Sequence, residues 1–73
     1  MISKDTTFVI VGLGLLGGSY AKGLKEAGYR VYGIARRQET IDYALNHRLI
    51  DEGSIEPEAF LDQADVVIFG LYP

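Results

Sequence analysis

The chain has no cysteine and no tryptophan, and its 73 residues include one histidine, one methionine and two prolines. Without cysteine there is neither a disulfide nor a thiolate metal site. No apolar run approaches the roughly 18 residues that a membrane-spanning helix needs. Residues 1–7 are polar and show no apolar signal-peptide core behind a basic start, so a cytoplasmic, soluble protein is expected. No strong basic excess is present either: the net charge is −3, which argues against a nucleic-acid partner. No Ser-His-Asp set, paired acid and base, or metal-ligating cluster can be assembled from the residues. The lone His47 follows the second predicted helix, away from the glycine-rich end, and reads as a surface residue. The length falls below that of a usual complete domain. Because an apolar, strand-like run lies only a few residues before Pro73, a piece of a longer chain is expected.

What the chain does have is glycine in a telling order. Phe8-Val9-Ile10-Val11 is a short apolar run, Gly12-Leu13-Gly14-Leu15-Leu16-Gly17 follows at once, and a helix-like segment runs on to Ala27. Strand, glycine turn and helix is the setting in which a G-x-G-x-x-G spacing points to a dinucleotide. Gly12 permits a tight turn, Gly14 lets a pyrophosphate approach the backbone, and Gly17 lets the helix pack close to the sheet. The free N–H groups at the helix start and its dipole face the phosphates. Charge is distributed to match. Residues 1–38 hold six of the seven Lys and Arg against two acids, whereas residues 39–73 hold one against eight. The basic half contains the glycine turn, which suits a polyanion. The acidic stretch from Asp51 to Glu58 reads as solvated surface.

The remaining pattern extends this unit. Thr7 to Val11 is predicted as a parallel strand buried on both faces, because its apolarity is nearly continuous. The following helix is predicted to bury Leu16, Tyr20, Leu24 and Ala27 as one stripe and to stop at Gly28. Ser19 lies within it and is read as a capping or packing residue. Arg30 to Ala35 is the second strand, placed beside the first and parallel to it. Glu39 to Asn46 is a short helix with Ile41, Ala44 and Leu45 inward. Leu49-Ile50 is a candidate rudimentary third strand, and Gly53 marks a turn. Pro57 to Gln63 is predicted as a short helix whose Phe60 and Leu61, with Ala64, pack inward. Val66 to Leu71 is the last strand. Tyr20, Tyr29, Tyr32 and Tyr43 read as core or rim residues. This β-α-β-α-(β)-α-β order is most of the first half of a doubly wound, three-layer α/β/α parallel sheet.

The end of the second strand bears on which cofactor is taken. An acidic residue there accepts hydrogen bonds from the adenosine ribose of NAD. Here the position falls on Ala35, which offers no acceptor, and Arg36 and Arg37 follow. Guanidinium groups bind phosphate as a planar fork, so NADP is preferred over NAD, with NAD as the alternative. Gln38 and Thr40 are candidates for further hydrogen bonds to the same phosphate. Leu71, Tyr72 and Pro73 follow the last strand at the ligand-binding edge and are expected to border the cofactor's ribose or nicotinamide.

Val11 to Ser19, Val31-Tyr32-Gly33-Ile34, Glu39 to Leu45, Leu49-Ile50-Asp51-Glu52-Gly53, and Ala64 to Ile68 leading to Tyr72-Pro73 together resemble the N-terminal part of prephenate dehydrogenases. The likeness covers essentially the whole chain. It implies a Rossmann-type cofactor-binding segment of an oxidoreductase. Such an enzyme oxidises prephenate, passes a hydride to the nicotinamide and releases carbon dioxide to give 4-hydroxyphenylpyruvate. It also implies a separate helical domain that carries the catalytic residues and forms a homodimer, so no catalytic residue is assigned in this chain. Ala35 departs from the acidic residue of many relatives, which bears on NAD preference. Arogenate dehydrogenase, a reductase of the 3-hydroxyacid or ketopantoate type, and a non-catalytic nucleotide-sensing module are the alternatives.

Overall fold

The computed structural model describes residues 5–12 and 15–69, with the backbone alone for residues 15–17. The elements are β1 (Thr7–Val11), α1 (Leu15–Glu26), β2 (Arg30–Ile34), α2 (Gln38–Asn46), β3 (Glu52–Ser54) and β4 (Val66–Phe69). The four strands form one sheet in the order β3-β2-β1-β4, and every pairing is parallel. That order, with helices after β1 and β2, is part of a Rossmann-type fold.

Side chains alternate across the sheet and sort the core into two layers. On one face Ile10 and Val31 meet Ala21 and Leu24 of α1, Ala44 of α2, and Ile50, with Ile68 alongside. On the other face Val9, Tyr32 and Ile34 are covered by Phe60 and Ala64, with Val11 packed against them. Both helices therefore lie on one face, and the chain between β3 and β4 crosses the other. β1 is buried on both sides, as its continuous apolarity predicts. β4 alternates instead, leaving Val67 and Phe69 exposed.

Several expected placements differ from those observed. α1 buries Ala21 and half-buries Leu24, while Tyr20 is 58% exposed and Ala27 also faces water. A small residue at 21 lets the helix lie close to the sheet, and the larger tyrosine is turned outward. The Leu16 side chain lies outside the described residues. In α2, Ile41 and Ala44 are buried but Leu45 is 40% exposed. The third strand is Glu52–Ser54, not Leu49-Ile50, and Gly53 sits inside it rather than in a turn. A Cβ at Gly53 would lie 2.6 Å from Cγ2 of Ile41 and 2.9 Å from Cδ1 of Ile50, so α2 packs directly on a bare backbone there. Residues 57–63 form turns, not a helix. Phe60 has φ 68°, which inverts the chain and lets its ring meet that of Tyr32 with centroids 4.6 Å apart. Leu61, on the outside of this bend, is 51% exposed. The last strand is described as far as Phe69; residues 70–73 lie outside the described residues.

Both helices end in the same motif. At the end of α1, Tyr29 N–H donates to Leu24 C=O and Gly28 N–H to Lys25 C=O, with Gly28 at φ 94°. After α2, Leu49 N–H donates to Ala44 C=O and Arg48 N–H to Leu45 C=O, with Arg48 at φ 57°. These are paired 6→1 and 5→2 closures around one left-handed residue. Glycine occupies that position without strain in the first case, whereas an arginine Cβ crowds the backbone in the second.

Two aspartates close the amino edge of the sheet in the same way. Asp51 donates its N–H to Val31 C=O at 2.7 Å, and its Oδ2 accepts the Val31 N–H at 2.8 Å. Asp65 donates its N–H to Thr7 C=O at 2.9 Å, and its Oδ2 accepts the Thr7 N–H at 2.8 Å. Each aspartate stands one residue before an outer strand and grips the inner strand beside it. Asp51 also forms an ion pair with Lys25 of α1. Asp51 thus departs from the solvated role expected of its acidic stretch. Partial burial pushes its carboxyl upward, but the Lys25 hydrogen bond, the Val31 N–H and the positive charges of Lys25 and Arg30 outweigh it. The net effect holds the group below the usual carboxylate range.

Substitutions at three residues have expected outcomes. Asp51→Ala strands the N–H of fully buried Val31 and destabilises the fold by about 1–3 kcal/mol in urea unfolding. Asp51→Asn retains an acceptor and loses less, because screening at this partly exposed pair keeps the charge contribution below about 1 kcal/mol. Since folding lowers the Asp51 pKa, its contribution is complete above the ordinary carboxylate value and disappears as pH falls through the folded value. The acid side of the stability profile therefore flattens in Asp51→Asn. Arg48→Gly relieves the left-handed strain and raises stability by about 0.5–1 kcal/mol. Gly53→Ala forces α2 away from β3 and costs about 1–3 kcal/mol in the same measurement.

Candidate functional site

The site lies at the carboxyl edge of the sheet, opposite the aspartates. β1 is flanked by β2 on one side and β4 on the other. The chain leaves β1 toward β2 and reaches β4 only after crossing the sheet, so the ends of β1 and β4 frame the crevice where open α/β sheets bind ligands. Val11 pairs with Phe69, which places the two chain exits side by side.

Gly12 is the first residue past β1. Its φ of 92° lies in the region that a side chain disfavours, and its N–H donates to Ile34 C=O at 2.8 Å. This bond ties the glycine turn to the end of β2. α1 begins three residues later at Leu15, so its first backbone N–H groups stand at this edge. Leu15, Leu16 and Gly17 form the opening turn of α1. Gly17 precedes the buried Ala21 by four residues, which puts it on the sheet-facing side of the helix. Leu13 and Gly14 lie outside the described residues, as do Leu71, Tyr72 and Pro73.

Ala35 follows β2 and is buried. Its N–H is committed to Ser54 C=O at 3.2 Å, so the position offers a methyl group and no free donor. Arg36 and Arg37 come next, both exposed, and neither has an ion-pair partner among the described residues. Arg37 caps α2 with an extended backbone, φ −113° and ψ 135°, and no side-chain cap bond is made. Its carbonyl accepts the N–H groups of Thr40 and Ile41. Thr40 is half-buried in the first turn of α2. Gln38 is already engaged, since its Nε2 donates to Oδ1 of Asp42. The edge therefore gathers Gly12, the start of α1, a small residue at the end of β2 and two guanidinium groups with no ion-pair partner among the described residues. Such a set can receive a phosphorylated ligand through backbone N–H groups and positive charge, with no carboxylate at the end of β2 to repel it.

The rest of the molecule offers no competing centre among the described residues. No group of three or more His, Asp or Glu is placed to hold a metal ion. His47 is exposed and stacked on Tyr43 at 4.0 Å, and its Nδ1 lies 3.0 Å from the Tyr43 carbonyl. An open depression of about 340 Å³, lined by Asp5, Lys25, Gly28, Tyr29, Arg30 and Asp51, lies at the amino edge and is separate from the glycine turn. No described helix is long and apolar enough to cross a membrane.

The sequence reading missed two features of this edge. The Gly12 bond to Ile34 joins residues far apart in the chain. The Ala35 bond to Ser54 depends on a third strand that is polar, Glu52–Ser54, and so carries no apolar pattern.

Comparison with known proteins agrees with this geometry. No curated protein gives a significant match. Among solved structures, the chain is similar to arogenate dehydrogenase from Synechocystis, with 31% identity and a TM-score of 0.83 over 88% of this chain and 23% of that one. It is also similar to prephenate dehydrogenase from A. aeolicus in complex with hydroxyphenyl propionate and NAD+, with 30% identity and a TM-score of 0.80 over 94% of this chain and 25% of that one. The chain thus spans about a quarter of the length of these structures. The family model for the NAD binding domain of 6-phosphogluconate dehydrogenase matches residues 7–72. With its parallel sheet, its glycine turn at the end of β1 and that match over nearly its whole length, the chain belongs to this family of NAD-binding domains.

Proposed function

We propose that the chain is the cofactor-binding part of a dehydrogenase acting on arogenate or prephenate, and that it takes NADP in preference to NAD. The observation that carries the cofactor reading is the glycine turn held by hydrogen bond against the end of β2, beside Ala35, Arg36 and Arg37. In this reading Gly12, Leu13, Gly14, Leu15, Leu16 and Gly17 supply the backbone against which the pyrophosphate rests. Ala35 leaves room at the adenosine ribose, Arg36 and Arg37 pair with a 2′-phosphate, and Thr40 adds a hydroxyl. Leu71, Tyr72 and Pro73 border the far side.

The residues present fit such a group. The left-handed Gly12 has no side chain to block it, and the two arginines are not neutralised by a neighbour among the described residues. The nicotinamide, when bound, accepts the hydride. The chain's own contribution is to hold the phosphates and orient the ring. The catalytic residues are assigned to a further domain, which also forms a homodimer, and the whole enzyme is placed in the cytoplasm. Similarity to an arogenate dehydrogenase and to a prephenate dehydrogenase at nearly equal identity supports both substrates alike. Either substrate undergoes the same oxidative decarboxylation, driven by aromatisation of the ring.

Calorimetric titration with NADPH and NADH tests the cofactor reading. NADPH is expected to bind more tightly. Arg36→Ala or Arg37→Ala should weaken NADPH by roughly tenfold, the scale of one charge-assisted hydrogen bond, and leave NADH within about twofold. Equal affinity for the two, or loss of both in parallel, would exclude the 2′-phosphate role.

A further inference from the structure

The geometry points to Lys25 as a positioning residue for the pyrophosphate of the bound dinucleotide, acting through α1. The role rests on the dinucleotide reading of the carboxyl edge. It adds a residue from the amino edge, at the opposite end of the sheet from the glycine turn.

Strand β2 is a common reference for both ends of α1. At its carboxyl end the Ile34 carbonyl accepts the Gly12 N–H at 2.8 Å. At its amino end Val31 is held by Asp51 through two bonds, and Asp51 Oδ1 accepts a hydrogen bond from Lys25 Nζ. This acceptor is not free to swing. The Asp51 N–H and Oδ2 are both committed to Val31, which keeps Oδ1 in a set place. Lys25 is anchored on the helix side as well, since its carbonyl accepts the Gly28 N–H in the closure that ends α1. From Leu15 to Lys25 the helix runs about 15 Å. Its hydrogen-bonded backbone is stiff along the axis. The clamp at one end therefore sets how far the first N–H groups project at the other, beside Gly12.

Apolar packing by itself fixes that projection weakly. Among the described side chains of α1, Ala21 is buried and Leu24 is half-buried against the sheet. A methyl group gives little to interlock with a neighbour. Gly18 and Gly23 have nothing within 4 Å of the place where a Cβ would stand. A helix with so smooth a contact has few ridges to stop it sliding, and a polar clamp at its end removes that freedom. The pyrophosphate feels the difference. Charge-assisted bonds from backbone N–H groups depend steeply on distance and angle, and the attraction of the helix dipole is confined to the first turn. An exposed ion pair adds little to stability. Lys25 can therefore be replaced in a folded chain, and its influence on the far edge can be read separately from stability.

The test is titration of this chain with NADPH and NADH, using the parent sequence, Lys25→Met and Lys25→Arg. Backbone amide NMR spectra of the three ligand-free proteins are recorded alongside, and circular dichroism melting verifies that the variants fold. Lys25→Met keeps the apolar stem and removes the charge. It should weaken both ligands by roughly three- to tenfold, the scale of loosening one charge-assisted hydrogen bond. It should also move the amide signals of residues 15–18, far from the substitution. Lys25→Arg keeps the pair with Asp51 and should stay within about twofold of the parent. If the parent binds and Lys25→Met binds equally well, the positioning role is excluded while the dinucleotide reading stands. The same conclusion follows if affinity falls while the signals of residues 15–18 stay in place, or if Lys25→Arg fails to recover binding. If the parent binds neither ligand, both fall together.

Discussion

The sheet depends on two carboxylates that imitate strand backbone. A parallel strand pair receives no help from a hairpin, and its ends are joined only through a crossover. Asp51 and Asp65 meet this problem alike. Each continues the ladder by one residue, using its own N–H as donor and its side chain as acceptor toward a single residue of the inner strand. The inner partners, Val31 and Thr7, are both buried, so their polar groups need a partner that water does not supply. Registers that would otherwise depend on apolar packing alone are pinned at the amino edge. At Asp51 the ion pair to Lys25 extends the grip to α1, so helix, β2 and β3 meet at one carboxylate.

Closing the amino edge with side chains leaves the carboxyl edge to the backbone. There Gly12 is held by its own N–H and β3 is held by the Ala35 N–H. Asp51 and Asp65 anchor one end of the sheet, and Arg36 and Arg37, which have no ion-pair partner among the described residues, stand at the other, where their charge suits a polyanion.

The chain between β3 and β4 shows how a local preference yields to packing. Proline followed by helix-tolerant residues suggested a helix, yet Phe60 adopts a left-handed backbone to place its ring on Tyr32. Aromatic contact and burial over the Val9 and Ile34 face offset the steric cost of that conformation. The same preference for close approach explains α1, where Ala21 rather than Tyr20 meets the sheet.

The sequence by itself determined the class of the fold, because continuous β-branched runs, a glycine turn and amphipathic helices are local patterns of period and punctuation. β1 matches its expected limits, and β2 and α2 match theirs within a residue, since apolar strand runs and the helical period of α2 mark their extents. The glycine positions and the pair Arg36-Arg37 were legible for the same reason. Tertiary structure alone decided where the third strand lies, because Glu52–Ser54 is polar and becomes a strand only by pairing with β2 and receiving α2 over Gly53. It also decided that Asp51 is an anchor rather than solvated surface, and that Ser54 stands beside Ala35. Those relations join residues about twenty positions apart, and no local pattern of hydrophobicity or charge encodes a contact at that distance.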